Sequence, residues 1–146
     1  MGTGISGYYN TKGAKKDIER RRFDANTSIV WKHIEATQEE YKGTCLPRSF
    51  NIDTPQGKMW THGNATEHMA EAITSLKDNP RLKYSNPKLY TQFILYDYWQ
   101  SIQQAVINGI KYDTGITIGN WQFAFSRPFP GKKNPVVIHA KFTGLK

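Results

Sequence analysis

Apolar residues recur at helical spacing between Asn64 and Asn108, and from Gly115 onward they alternate. In the first stretch Ala65, Met69, Ala72, Ile73 and Leu76 fall on one narrow face, which predicts an amphipathic helix. Asn64 stands at a capping position and Glu67 follows three residues on, as in a capping box. Asp78, Asn79 and Pro80 end this helix. A second helix has Asn86 as cap, Pro87 at its first position and Gly109 just past its end. Leu89, Tyr90, Phe93, Ile94, Leu95, Tyr96, Tyr98, Trp99, Ile102, Ala105 and Val106 crowd its surface. Its first half is apolar nearly all round, so it reads as the central buried helix, roughly 33 Å long.

After Gly115 the period is two. Trp121, Phe123 and Phe125 alternate with Gln122, Ala124 and Ser126. A last strand puts Val136, Ile138, Ala140 and Phe142 on one face and Val137, His139, Lys141 and Thr143 on the other. The loop from Arg127 to Pro135 joins the two strands as an antiparallel pair. Upstream the pattern is weaker. Thr27–Glu35 fits a strand or a helical turn. Thr44–Asp53 reads as extended, with Pro47 at an edge or bend, and Thr54–Gly57 as a turn. Ala14–Ala25 predicts a basic helix with a solvated face. Residues 1–13 hold four glycines and read as a flexible lead-in or linker, leaving 14–146 as a single domain. The expected class is α+β, with N-terminal helices packed on a small C-terminal antiparallel sheet.

Composition narrows the function. A chain of 146 residues can bury one core. Aromatics at 13% are too many for a disordered tail. Mean hydropathy is −0.65, and no apolar run approaches the roughly 20 residues of a membrane span. Cys45 is the single cysteine, so an internal disulfide, a CxxC zinc knuckle and a zinc-deaminase site are excluded. The net charge of +8 is uneven. Residues 81–146 carry nine basic side chains against only Asp97 and Asp113. A basic half fits an anionic partner such as nucleic acid, lipid or an acidic protein.

The candidate chemistry is histidine chemistry. RNA cleavage without a metal needs a base for the 2′-hydroxyl, an acid for the leaving 5′-oxygen and a cation on the phosphate. Imidazole titrates near the right pH for both proton transfers, and Lys or Arg supplies the charge. The densest polar cluster runs from Trp60 to His68 and contains Thr61, His62, Asn64 and Thr66, with Lys58 just before it and Arg48 on the preceding segment. Backbone N–H groups at a helix N-terminus favour an anion there. His68 lies at the border of the apolar face, where a hydrogen bond at the core edge is the plain alternative. His139 shares its predicted face with Lys141 and Thr143. His33 is a weaker candidate. An HNH metallonuclease would need a pair of strands before the His62–His68 segment, and none is evident in the pattern. No HExxH, P-loop or GxSxG motif occurs.

The segment WTHGNATEHMAEA, the long NPKLYTQFILYDYWQSIQQAVINGIKY helix and the closing GNWQFAFSRP and NPVVIHAKF strands resemble C-terminal toxin domains of bacterial polymorphic toxins, of the contact-dependent inhibition and Rhs types. The likeness covers about residues 44–143. It implies a secreted effector domain that acts in the cytoplasm of a target cell, often as a metal-independent ribonuclease against tRNA. One such group, resembling barnase, EndoU, RelE and a colicin, has helices followed by an antiparallel sheet whose open face binds RNA. The resemblance also implies an acidic, inhibitory immunity protein. The chain departs from that group's [KR]-[ST]-[ST] pattern, of which Arg48-Ser49 is a partial echo. The expected site is therefore His62, His68 and His139 with Arg48, Lys58 and Lys141 for catalysis. Trp60, Thr61, Asn64, Thr66 and Thr143 would bind substrate, the protein would act as a monomer, and no metal or cofactor is required. Two other readings stay open: a basic module that binds nucleic acid without cutting it, and a toxin of another class, such as a DNase or ADP-ribosyltransferase.

Overall fold

The computed structural model describes residues 26–78 and 87–143. The predicted helix at 14–25, the lead-in and the Asn86 cap lie outside them. A 3-10 helix at Ser28–His33 runs into β1 (Ile34–Ala36), so Thr27–Glu35 is part helical turn and part strand. A hairpin follows, β2 (Phe50–Thr54) and β3 (Gly57–Thr61). Its turn is closed by the Thr54 hydroxyl, which accepts from the Gln56 N–H, and by Gly57 at φ +106°, where a side chain would be strained. Then come α1 (Gly63–Lys77), α2 (Pro87–Asn108), β4 (Gly115–Ile118), β5 (Trp121–Ser126) and β6 (Val136–Phe142).

The class is α+β. The sheet has six strands in the order β1-β2-β3-β6-β5-β4. Three of them precede the helices, and β3 lies parallel to β6, so the sheet is mixed and larger than the closing strands alone. The β3–β6 ladder is short: Trp60 opposite Val136 and Thr61 opposite Val137. The His62 N–H adds a bond to the Val137 carbonyl at 3.0 Å, and the chain then turns into α1, which packs mainly on β6 and α2.

The long helix supplies the centre of the core, as its apolar surface predicts. Tyr98 is fully buried, with ring contacts to Phe50 at 6.0 Å, Trp121 at 5.3 Å and Phe123 at 5.9 Å. Ile94, Leu95 and Ile102 from the same helix are also buried, as are Ala65, Met69, Ile73 and Leu76 of α1. Each such large apolar side chain contributes about 1.5–3 kcal/mol on burial. Gly109 ends α2 with φ +91°, its N–H bonded to the Val106 carbonyl.

Two expectations need correction. The cap of α1 is His62, not Asn64: Nδ1 of His62 accepts the Asn64 N–H at 3.0 Å, so the helix begins two residues earlier than a cap at Asn64 would place it. The faces of β6 also differ from simple alternation. His139 pairs with Ala124, but Val137 pairs with Phe125, which leaves Ile138 as an extra residue in a bulge. One extra residue inverts the alternation before it. Val137 therefore joins Ala140 in the main core, while Val136, opposite Ser126, stands apart from that cluster.

Candidate active site

The bulge and the His62 cap set the site. Beyond the bulge, Ala140 pairs with buried Phe123, so its neighbours His139 and Lys141 lie on the other face, with Ala124 and Gln122 opposite them. His68, on the second turn of α1, reaches this face from the side. The rings of His68 and His139 meet edge to face with centroids 5.2 Å apart. These two histidines, 71 residues apart in sequence (139 − 68), form the centre of the site.

Their surroundings differ. Nδ1 of His68 lies 2.9 Å from Oε1 of Glu71. A carboxylate only accepts, so Nδ1 carries the proton and Nε2 is left for other work. No carboxylate among the described residues pairs with His139. Its pKa lies below the ordinary 6.5, first because of partial burial, then because of the nearby His68 and Lys141 charges. Lys141 is exposed and has no carboxylate partner among the described residues.

His62 belongs to a neighbouring aromatic group. Its ring contacts Trp60 at 5.3 Å and Phe129 at 5.9 Å, and those two rings contact each other at 6.0 Å. The indole N–H of Trp60 donates to the Thr37 hydroxyl, which in turn bonds the Ser49 hydroxyl. His62 is tied through its N–H to Val137, two residues before His139, so the aromatic group adjoins the histidine pair. Phe129 was not a sequence candidate; nothing in the pattern marks it, because the loop folds back on β3. Glu71 was not a sequence candidate either; the signal that marks it is its place one turn after His68.

The other candidates scatter. Thr61 is fully buried, its hydroxyl 2.7 Å from that of Tyr98, and it belongs to the core. Thr66 is also fully buried; it donates to the Arg48 carbonyl at 2.7 Å and meets the Tyr41 hydroxyl at 2.9 Å. Neither threonine can reach substrate, because both hydroxyls face inward at the ends of the sheet and helix. Asn64 is exposed on the first turn of α1. Thr143 donates to the Asn120 carbonyl and braces the β5–β6 end. The Arg48 guanidinium lies over the Tyr41 ring at 4.9 Å, beside the start of α1. Lys58 pairs with Asp53 at 3.3 Å, and that carboxylate also holds His33 at 3.2 Å. His33 stacks on Trp99 at 4.6 Å, so it sits at a separate corner of the molecule.

The pair of strands that an HNH hairpin would need is present, since β2 and β3 lead directly into α1. Among the described residues, however, no three His, Cys, Asp or Glu side chains are gathered as metal ligands. No helix of the described residues is long and apolar enough to cross a membrane. No protein-family model matches the chain, and a search of curated proteins finds no relative.

Proposed function

We propose that this is a toxin-type ribonuclease domain that cleaves RNA, with tRNA a favoured substrate, without a metal. The observation that carries the reading is the contact of His68 with His139 on a face that also bears Lys141. Two imidazoles in contact can serve two oxygens on one phosphorus. His139, held below its ordinary pKa, is largely neutral near pH 7 and suits the base. It takes the 2′-hydroxyl proton as that oxygen attacks phosphorus. Nε2–H of His68 gives its proton to the departing 5′-oxygen, and a 2′,3′-cyclic phosphate forms. Glu71 holds the His68 ring by Nδ1 and fixes its orientation. Lys141 lies near the charge that grows on phosphorus. His62 serves as cap and aromatic wall; Trp60 and Phe129 beside it offer surface on which an unpaired base can stack.

The same cationic surface, with exposed Arg127, Lys132 and Lys133 on the loop before β6, fits an acidic immunity protein that would occlude the site. Delivery from a producing cell and action in a target-cell cytoplasm follow from the toxin reading. The test is incubation with total tRNA in excess EDTA. Cleavage to cyclic-phosphate ends that disappears in His139→Ala is expected. Cleavage only after added Mg²⁺ would overturn the mechanism. Salt-sensitive binding with no cleavage in either condition would favour the non-enzymatic module.

A further inference from the structure

On the side of His139 away from His68, the sheet surface sinks into an open recess of about 290 Å³. The register explains it. Gly115, Ala124 and His139 stand in one row across β4, β5 and β6, and Thr117, Gln122 and Lys141 stand in the next. Strands lie about 4.8 Å apart, so each row spans roughly 10 Å. The first row has almost no side chain until it reaches the imidazole, and this makes the floor. From the second row Thr117 and Gln122 give the recess a polar wall of a hydroxyl and a carboxamide, and Lys141 stands at the end of that row beyond the lining.

Thr117 and Gln122 are exposed, and no side chain among the described residues engages either of them. A carboxamide offers both a donor and an acceptor edge, and a hydroxyl can do either. None of the residues lining the recess is acidic. The volume lies at the lower end for small-molecule sites, which suits one nucleoside and no more.

Building on the ribonuclease reading, we propose that this recess seats the nucleotide on one side of the scissile phosphate. Its base edge is read by Gln122 and Thr117. The small residues Gly115 and Ala124 leave room for the sugar next to His139, and Lys141 closes the row at the phosphate. Gln122 and Thr117 are specificity-determining residues; the proton transfers stay with the histidines.

The experiment has two arms. In the first, the wild type, Gln122→Ala, Thr117→Ala and Ala124→Leu cut a randomised RNA pool, and the bases flanking the cuts are sequenced. Gln122→Ala is expected to weaken base preference at one flanking position by roughly tenfold. Ala124→Leu, which fills the floor, is expected to slow cleavage of every sequence while its melting curve stays near wild type. An unchanged base preference in Gln122→Ala, together with a wild-type rate in Ala124→Leu, overturns the inference and leaves the ribonuclease reading intact. In the second arm, the wild-type protein is titrated with each nucleoside 3′-monophosphate and followed by NMR. Shifts at the Gln122 side-chain amide and the Ala124 methyl are expected to differ between bases. This arm reads the recess even if no RNA is cut, and an absence of shifts there overturns the inference by itself.

Discussion

Two half-buried histidines, His33 and His139, occupy opposite electrostatic settings. His33 lies flat on Trp99 and faces Asp53, whose other oxygen holds Lys58. Its charge, when present, is answered by a carboxylate, and its ring is fixed on both sides. His139 has an imidazole and an ammonium for neighbours. The first arrangement favours a brace that ties the 3-10 helix to the sheet and to α2. The second keeps an imidazole neutral beside cations, which suits a proton acceptor next to an anionic substrate. Residue type is shared, and the neighbours differ: a carboxylate and an indole at His33, an imidazole and an ammonium at His139.

The sharpest break of this comparison is a pair of alanine substitutions. His139→Ala is expected to reduce RNA cleavage by roughly 10²–10⁴-fold with little change in melting temperature. His33→Ala is expected to leave the rate per folded molecule unchanged. Equal losses of activity in the two variants would erase the distinction.

The pH profile sharpens it further. The His139 pKa is depressed, so cleavage is expected to fall as pH drops through a value below 6.5. Lys141→Gln removes one cause of the depression and is expected to move that limb upward. The limb stops short of 6.5 because burial, the larger cause, remains. The same group affects stability. Below about pH 6.5 the unfolded chain binds the His139 proton first, so stability declines with falling pH and levels off below the folded value. His139→Ala is expected to flatten that slope in urea titrations at several pH values.

The smallest effect belongs to the brace. At Asp53 burial pushes the pKa up, but hydrogen bonds from His33 and Lys58 outweigh it and hold the carboxyl below 3.8. Its contribution is present above that value and is lost as pH falls through the folded pKa. The three side chains are 36–48% exposed and open to solvent screening, so Asp53→Asn is expected to cost no more than about 1 kcal/mol in urea unfolding. Cleavage by this variant is expected to match wild type.

The long helix and the closing strands were legible because their apolar residues keep one period over many positions. β3 was not. Of Gly57–Thr61 only Met59 is an apolar inward residue, since its partner at the next inward position is Thr61, satisfied by Tyr98. The bulge at Ile138 was equally hidden, because Val136, Val137 and Ile138 are all apolar and any phase fits them. At the site, His68 at the edge of its helix face and His139 beside Lys141 could be read from spacing. Their contact could not, since it depends on α1 lying against β6. The capping role of His62 was masked by Asn64, a better capping residue two positions later whose own N–H is the one being capped.

The short parallel ladder between β3 and β6 also bears on how His68 and His139 come together. It stitches a hairpin made before the helices to a meander made after them, through two residue pairs far apart in sequence. Contacts of such long range form slowly, because the intervening chain must be ordered before they repay its entropy. His68 and His139 sit on the two sides of this seam. The two rings therefore meet in the step that closes the sheet, and a chain arrested before β6 docks would hold α1 and α2 and still lack the contact of His68 with His139.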